Sequence, residues 1–289
     1  MAGPGGEIVL INDAKLAPYY GIAYAEDQRR VITVTREYLH DVAKRLEADG
    51  VAVRAFPMVV GDAATAIDEA ASIFEADMVA VATHGRSPLG RLFRGSVAWK
   101  ALANSPVPVL LRHIDRDELT LHVPHENRIL VPLDGSTLAE RALPLAQELA
   151  KERGAEIWLT QVVYTMATPA GKGVMPVSPT YYPEIEPKER EARAYLSEVA
   201  ASLEGSVHTH VLLGAPVEDL VAAAETWLVS DIVIASHGRT GLSRVILGSV
   251  ADALVHRLNV PIIVVPALAR QPQHEAATAK RAPEAAATR

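Results

Sequence analysis

Apolar residues fall along this chain in two alternating rhythms. Short continuous runs, such as Glu7-Ile-Val-Leu-Ile-Asn12, Met78–Ala82, Glu156–Val163 and Asp231–Ala235, are bounded by Gly, Asp or polar residues. Between them, apolar residues recur three or four apart: from Ser249 they fall at Ala251, Leu254, Val255 and Leu258, one face of a helix. Similar stretches at Arg36–Glu47 and Arg193–Glu204 predict further helices. Strands that are continuous apolar runs, and not alternating ones, are buried on both faces. The pattern therefore predicts parallel sheets covered on each side by helices.

The pattern also repeats. Residues 82–98 read ATHGRSPLGRLFRGSVA and residues 235–251 read ASHGRTGLSRVILGSVA, which agree at 10 of 17 positions without a gap. Around each copy the order is the same. A helix leads to a β-rich run ending near Gly61 or Gly214, then an Ala-rich helix, then an apolar strand near Asp77 or Asp231. The glycine loop follows, with a helix and a last apolar strand, Val107–Leu111 or Val260–Val265. Each half is thus a βα domain.

The halves differ at their starts. The second opens with Arg128-Ile-Leu-Val-Pro-Leu-Asp-Gly-Ser136, a strand ending in an acidic turn, and continues as a helix over about Thr137–Arg153. In the first half Glu7-Ile-Val-Leu-Ile-Asn already corresponds to Glu156-Ile-Trp-Leu-Thr-Gln, so a first strand and first helix have no counterpart. Either that unit was lost or it lies upstream of Met1; the sequence leaves both open. Its absence predicts an exposed edge on each neighbouring strand and a weaker first half, unless Leu119-Thr-Leu-His-Val123 or a partner chain fills the position. The expected organisation is an incomplete domain at 1–116, a linker at 117–126, a complete domain at 127–266 and a disordered tail at 267–289. Thr165–Pro187, rich in Pro and Gly, reads as a long surface loop.

Composition narrows the function. No apolar run approaches the ~20 residues that cross a bilayer, and the N-terminus lacks the basic and apolar regions of a signal peptide. The expectation is a cytoplasmic protein. With no Cys among 289 residues, disulfides and thiolate chemistry are excluded. A net charge of −7 provides no basic field for nucleic acid.

In the second half, the strand Asp231–Ala235 delivers the chain to Ser236-His-Gly-Arg-Thr-Gly241, and nine residues separate Gly238 from Gly248-Ser249. Ser249 then opens a helix. Free backbone N–H groups and the positive dipole end at such a start suit an anion, and Gly lets it approach the backbone. Open α/β folds place ligands at this carboxyl end of the sheet. The plainer alternative is a turn at Gly238 and a cap at Ser249, and the twofold occurrence of the spacing weighs against it.

Gly, nine residues, Gly-Ser after an apolar strand and His, together with Val-Pro-Leu-Asp-Gly-Ser at the start of the second half, resembles the universal stress protein family in its tandem form. The resemblance covers nearly all of residues 7–266. It implies two tandem open parallel-sheet domains, flavodoxin- or Rossmann-like, of the adenine nucleotide alpha hydrolase-like type, the first lacking its initial strand and helix. It also implies an ATP site in the second domain, with or without Mg. Gly238, Gly248, Ser249 and Val250 would hold the phosphates, and Asp134 would face the ribose or a divalent cation. Val162 would meet adenine through its backbone and Pro132 would line the base pocket. His237, Arg239 and Gly241 would lie beside the phosphates. Members that bind ATP carry Gly where this chain has Ala235, and Ala82 stands at the equivalent place in the first half. An Asx turn capping the next helix is the competing role for Asp134.

The first half keeps Gly85, Gly95 and Ser96 but has Pro88 for Gly241, Trp99 for Asp252 and Asp13 for Val162, and it lacks the strand bearing the acidic residue. It is expected to be a structural partner. In the resembling family the last strands pair antiparallel into dimers, which implies an intrachain pseudo-dimer here, with a homodimer also open. No Walker lysine, Gly-x-Ser-x-Gly elbow or helical His pair marks a catalytic base. The expected function is nucleotide-dependent regulation in stress response. The alternatives are an interaction scaffold without nucleotide and, with Leu-Asp-Gly-Ser against it, a nucleotide hydrolase.

Overall fold

A computed structural model describes residues 6–13, 22–58, 62–84, 96–114, 126–164, 185–236 and 248–266. The first half comprises β1 (Glu7–Asp13), α1 (Ile22–Ala48), β2 (Ala52–Met58), α2 (Ala63–Ile73), β3 (Val79–His84), α3 (Ser96–Asn104) and β4 (Val109–Ile114). The second comprises β5 (Arg128–Pro132), a 3-10 turn Ala139–Ala142, α4 (Leu143–Arg153), β6 (Glu156–Tyr164), α5 (Ile185–Ala201), β7 (Val207–Gly214), α6 (Pro216–Thr226), β8 (Asp231–Ala235), α7 (Ser249–Arg257) and β9 (Ile262–Val265).

Local chemistry sets these boundaries. Asp62 caps α2, accepting from the Thr65 N–H at 3.4 Å. The Thr65 hydroxyl, and after it Lys100, hold the Asp62 carboxyl below its usual pKa. Pro144 lies in the first turn of α4, where its missing N–H costs nothing, and Gly154 ends that helix at φ 62°. The tail expected beyond residue 266 and the loop of 165–184 lie outside the described residues, as does Leu119–Val123.

In the second half β6 and β8 flank β5, β7 extends β6 and β9 extends β8, all parallel. β9 then pairs antiparallel with β4, with Val109 opposite Val264 and Leu111 opposite Ile262. This is the intrachain pairing of last strands that the resemblance implied. The seven-stranded sheet runs β3-β4-β9-β8-β5-β6-β7, and β1 and β2 form a separate parallel pair. The first half therefore does not close one sheet of its own. Among the described residues, no strand joins β3 to β1 as β5 joins β8 to β6 in the second half.

The core crosses the junction between halves. On one face of the sheet Leu102, Val109 and Leu111 pack with Leu130, Leu220, Ile232, Leu254 and Ile262. On the other, Ile129, Val131, Ile157, Leu159 and Leu196 pack with Val233 and Ile263. Leu111→Ala should cost about 2–5 kcal/mol. Because the two halves share this cluster, urea denaturation should show both of them weakened, and a loss confined to the first half would contradict the shared core.

Toward the amino ends of β6 and β7, His210 stacks on Trp158 with ring centres 4.6 Å apart and meets Trp227 at 4.5 Å. Arg128 lies 4.7 Å over the Trp158 ring, and Glu156 accepts from the Trp158 indole at 3.1 Å. Burial, and after it His208, lower the pKa of His210. The unfolded chain then takes up a proton that the folded one refuses. The stability contribution is complete above the ordinary value of 6.5 and falls as pH drops below it. Urea midpoints should decline from pH 7 to pH 5, and His210→Phe, which keeps the stack, should flatten that decline. Equal slopes would remove His210 from the explanation.

Candidate functional site

A cavity of about 220 Å³ opens at the carboxyl ends of β5, β6 and β8, beside the start of α7. The end of β5 is fixed by the Leu133 N–H, which donates to the Thr160 carbonyl at 2.8 Å. The next residues turn sharply. Asp134 Oδ1 accepts from the Ser136 N–H at 3.0 Å and from its hydroxyl at 2.6 Å, and Ser136 Oγ accepts from the Ala139 N–H at 3.1 Å. Gly135 makes the turn at φ 84°, and there the backbone conformation, not space, demands glycine: a Cβ would meet only Gln161 Nε2, at 3.7 Å. Tyr195 donates to Glu140 at 3.0 Å and ties α5 to the 3-10 turn that follows. Burial, then Glu140, raise its pKa and keep the phenol protonated.

Two polar side chains on the cavity wall lack partners. Thr160 is fully buried and its Oγ1 has none; neither does the buried Oε1 of Gln161. Leaving such a group unsatisfied costs about 1–3 kcal/mol. Ser236 Oγ, buried at the end of β8, is also without a partner.

The start of α7 forms another wall of the cavity. Gly248 caps it with no side-chain bond, and the first backbone bond within the turn is Asp252 N–H to Gly248 O at 2.9 Å. The N–H groups of Ser249, Val250 and Ala251 precede that bond, and all three residues line the cavity.

Of the residues singled out in the sequence, Pro132, Asp134, Val162, Ala235, Gly248, Ser249 and Val250 are brought together around this cavity. His237, Gly238, Arg239 and Gly241 lie outside the described residues, as do Gly85 and Gly95 of the first half. Asp134 is exposed, and its Oδ1 forms the Asx turn weighed against a ligand role. The structure adds Ser136, Thr160, Gln161, Pro216 and Leu220. The sequence reading passed over Thr160-Gln161, a polar pair inside an otherwise apolar strand. Pro216 was signalled by a helix opening directly after a strand. Among the described residues, no three His, Asp or Glu gather as a metal site, and no helix is long and apolar enough to cross a membrane.

The universal stress protein family model matches residues 2–113 and again 126–266, so the chain belongs to the universal stress protein family and carries two of its domains. Universal stress protein Rv2005c of Mycobacterium tuberculosis is 30% identical over 195 residues, 66% of this chain and 62% of the relative. The chain thus spans less than two thirds of that relative's length. Universal stress protein MJ0531 of Methanocaldococcus jannaschii is 30% identical over 141 residues, 48% of this chain and 81% of its own. A universal stress protein structure from Archaeoglobus fulgidus superposes with TM-score 0.67 at 25% identity, covering 90% of this chain and 88% of that one.

Proposed function

We propose that the second domain binds an adenine nucleotide, ATP in the first instance, and that occupancy of this site regulates the protein's interactions in stress response. The observation that carries the reading is the convergence of the α7 start with the partnerless Thr160 and Gln161 on one apolar cavity. A nucleotide asks for these features together: N–H donors for phosphate, an apolar slot for the base and polar atoms at the base edge. Gly248, Ser249 and Val250 would hold phosphate, with Gly238 from the preceding loop. Pro132, Val162 and Ile234 would enclose the base. Asp134, with Oδ1 committed to the turn, would present its carboxylate to the ribose or to a divalent cation. Ala235, which also lines the cavity, places a methyl group where ATP-binding members carry Gly and would narrow the slot.

The site is proposed to bind and not to catalyse. No His or Lys lines the cavity among the described residues, and the one acidic side chain there is held in a turn. The first half has Pro88 for Gly241, Trp99 for Asp252 and Asp13 for Val162, so one nucleotide per chain is expected. A scaffold role without nucleotide is the second reading, favoured by Ala235. Acid release and mass analysis of the purified protein separates the two: an adenine nucleotide near one per chain supports the first, and an empty cavity that also refuses added ATP supports the second.

A further inference from the structure

α7 is held partly from outside its own half. With nine residues it is too short to be stable alone, and its cap, Gly248, makes no side-chain bond. What fixes it is the buried face of Ala251, Leu254 and Val255. α7 packs on α6 and β9 of the second half, and also on β4 of the first. Val109 and Leu111 of β4, both buried, lie in one cluster with those three residues, together with Ala98 and Leu102 of α3. Ala251 belongs to that cluster and lines the cavity as well, and Val250 beside it packs on the cluster and lines the cavity too. The ion pair of Arg257 with Glu218 on α6, at 3.2 Å, is exposed at both ends and adds little.

The junction is symmetric. The repeat that makes Ala82 the counterpart of Ala235 makes Val109, Leu110 and Leu111 the counterparts of Ile262, Ile263 and Val264. β4 and β9 pair with Leu110 opposite Ile263, so Val109 meets Val264 and Leu111 meets Ile262 as an exchanged pair. A pseudo-twofold axis passes between the strands at that point, and α7 packs across it onto β4. β9 also supports another wall of the cavity: Val265 is paired with Ala235, and its carbonyl accepts from the Ser236 N–H at 2.9 Å. The start of α7 and the end of β8 are thus both attached to elements that the first half holds.

We propose, on the reading that α7 receives phosphate, that the first half sets the affinity of the nucleotide site, with Val109 and Leu111 as positioning residues that support the buried face of α7. The N–H groups at a helix start act together only while the helix axis points at the phosphate, so packing lost behind α7 is felt as lost affinity and not only as lost stability. Linkage makes the effect mutual: ATP, by fixing α7, would tighten β4 and α3 by the same factor.

Calorimetric titration of ATP into Leu111→Ala, at a temperature where circular dichroism shows it folded, is expected to give a Kd at least about tenfold weaker than that of the parent. Leu111→Met, which nearly keeps the volume, should restore it. Leu39→Ala empties a similarly buried position in α1, outside the cluster, and should leave the Kd unchanged. If Leu111→Ala does not fold, the parent decides: saturating ATP should slow amide exchange in α3 and β4 and leave β1–β2 as it was. Parent-like affinity in folded Leu111→Ala, an equal loss in Leu39→Ala, or ATP protection confined to residues 128–265 would overturn the proposal while the nucleotide reading stands. A parent protein that binds no ATP would overturn both.

Discussion

Amide exchange in the intact chain is expected to be far faster at Ala80 and Ala82 than at Val233 and Ala235, by at least about 10³-fold, because among the described residues β3 is paired on one side and β8 on both. The two strands are repeat partners of nearly the same length and aliphatic character, so intrinsic chemistry contributes little to the difference. What differs is the neighbour. β8 is bonded on both sides and its first four residues are buried, while among the described residues β3 is bonded on one side. The β1–β2 pair should follow β3. A two-stranded sheet is marginal by itself, and here α1 and α2 are the helices that pack on β1. On heating, β1 and β2 should lose protection before β5–β8. Equal protection in the two halves of the isolated monomer would show that one-sided pairing of β3 does not govern its opening.

Gly248→Val should weaken ATP binding by at least about 100-fold, equivalent to about 2.7 kcal/mol. The substitution puts a branched side chain at the cap of α7, on the cavity wall and beside the N–H groups that would receive phosphate. The fold should survive, since Gly248 adopts φ −51° and ψ 148°, open to any residue. Circular dichroism and the urea midpoint of the variant should match those of the parent. Unchanged affinity in a folded variant would move the phosphate away from α7.

Most of this architecture was legible in the residues, and the departures have physical causes. The helix expected at Arg36–Glu47 extends back to Ile22. Val31, Ile32, Thr33, Val34 and Thr35 hide that extension, since β-branched residues are poor helix formers; the Thr33 hydroxyl bonds back to Arg29 O at 2.8 Å and adapts to the turn. The helix expected from Thr137 begins as a 3-10 turn and becomes α-helical at Leu143, because Pro144 cannot donate a backbone bond to the preceding turn. The division of the first half between two sheets is a matter of non-local pairing. The sequence comparison of the halves exposed the absent strand, but which strands then remain joined is decided by the β4–β9 contact. At the cavity, glycine spacing and the acidic turn located α7 and β5, while Thr160 and Gln161 became visible only once burial showed their oxygens without partners.

Calorimetric titration of ATP into the nucleotide-free, intact chain tests the central claim most directly. Saturation at one ATP per chain, lost in Gly248→Val, is the predicted result. Saturation at two per chain, or no binding by a folded parent protein, would contradict it.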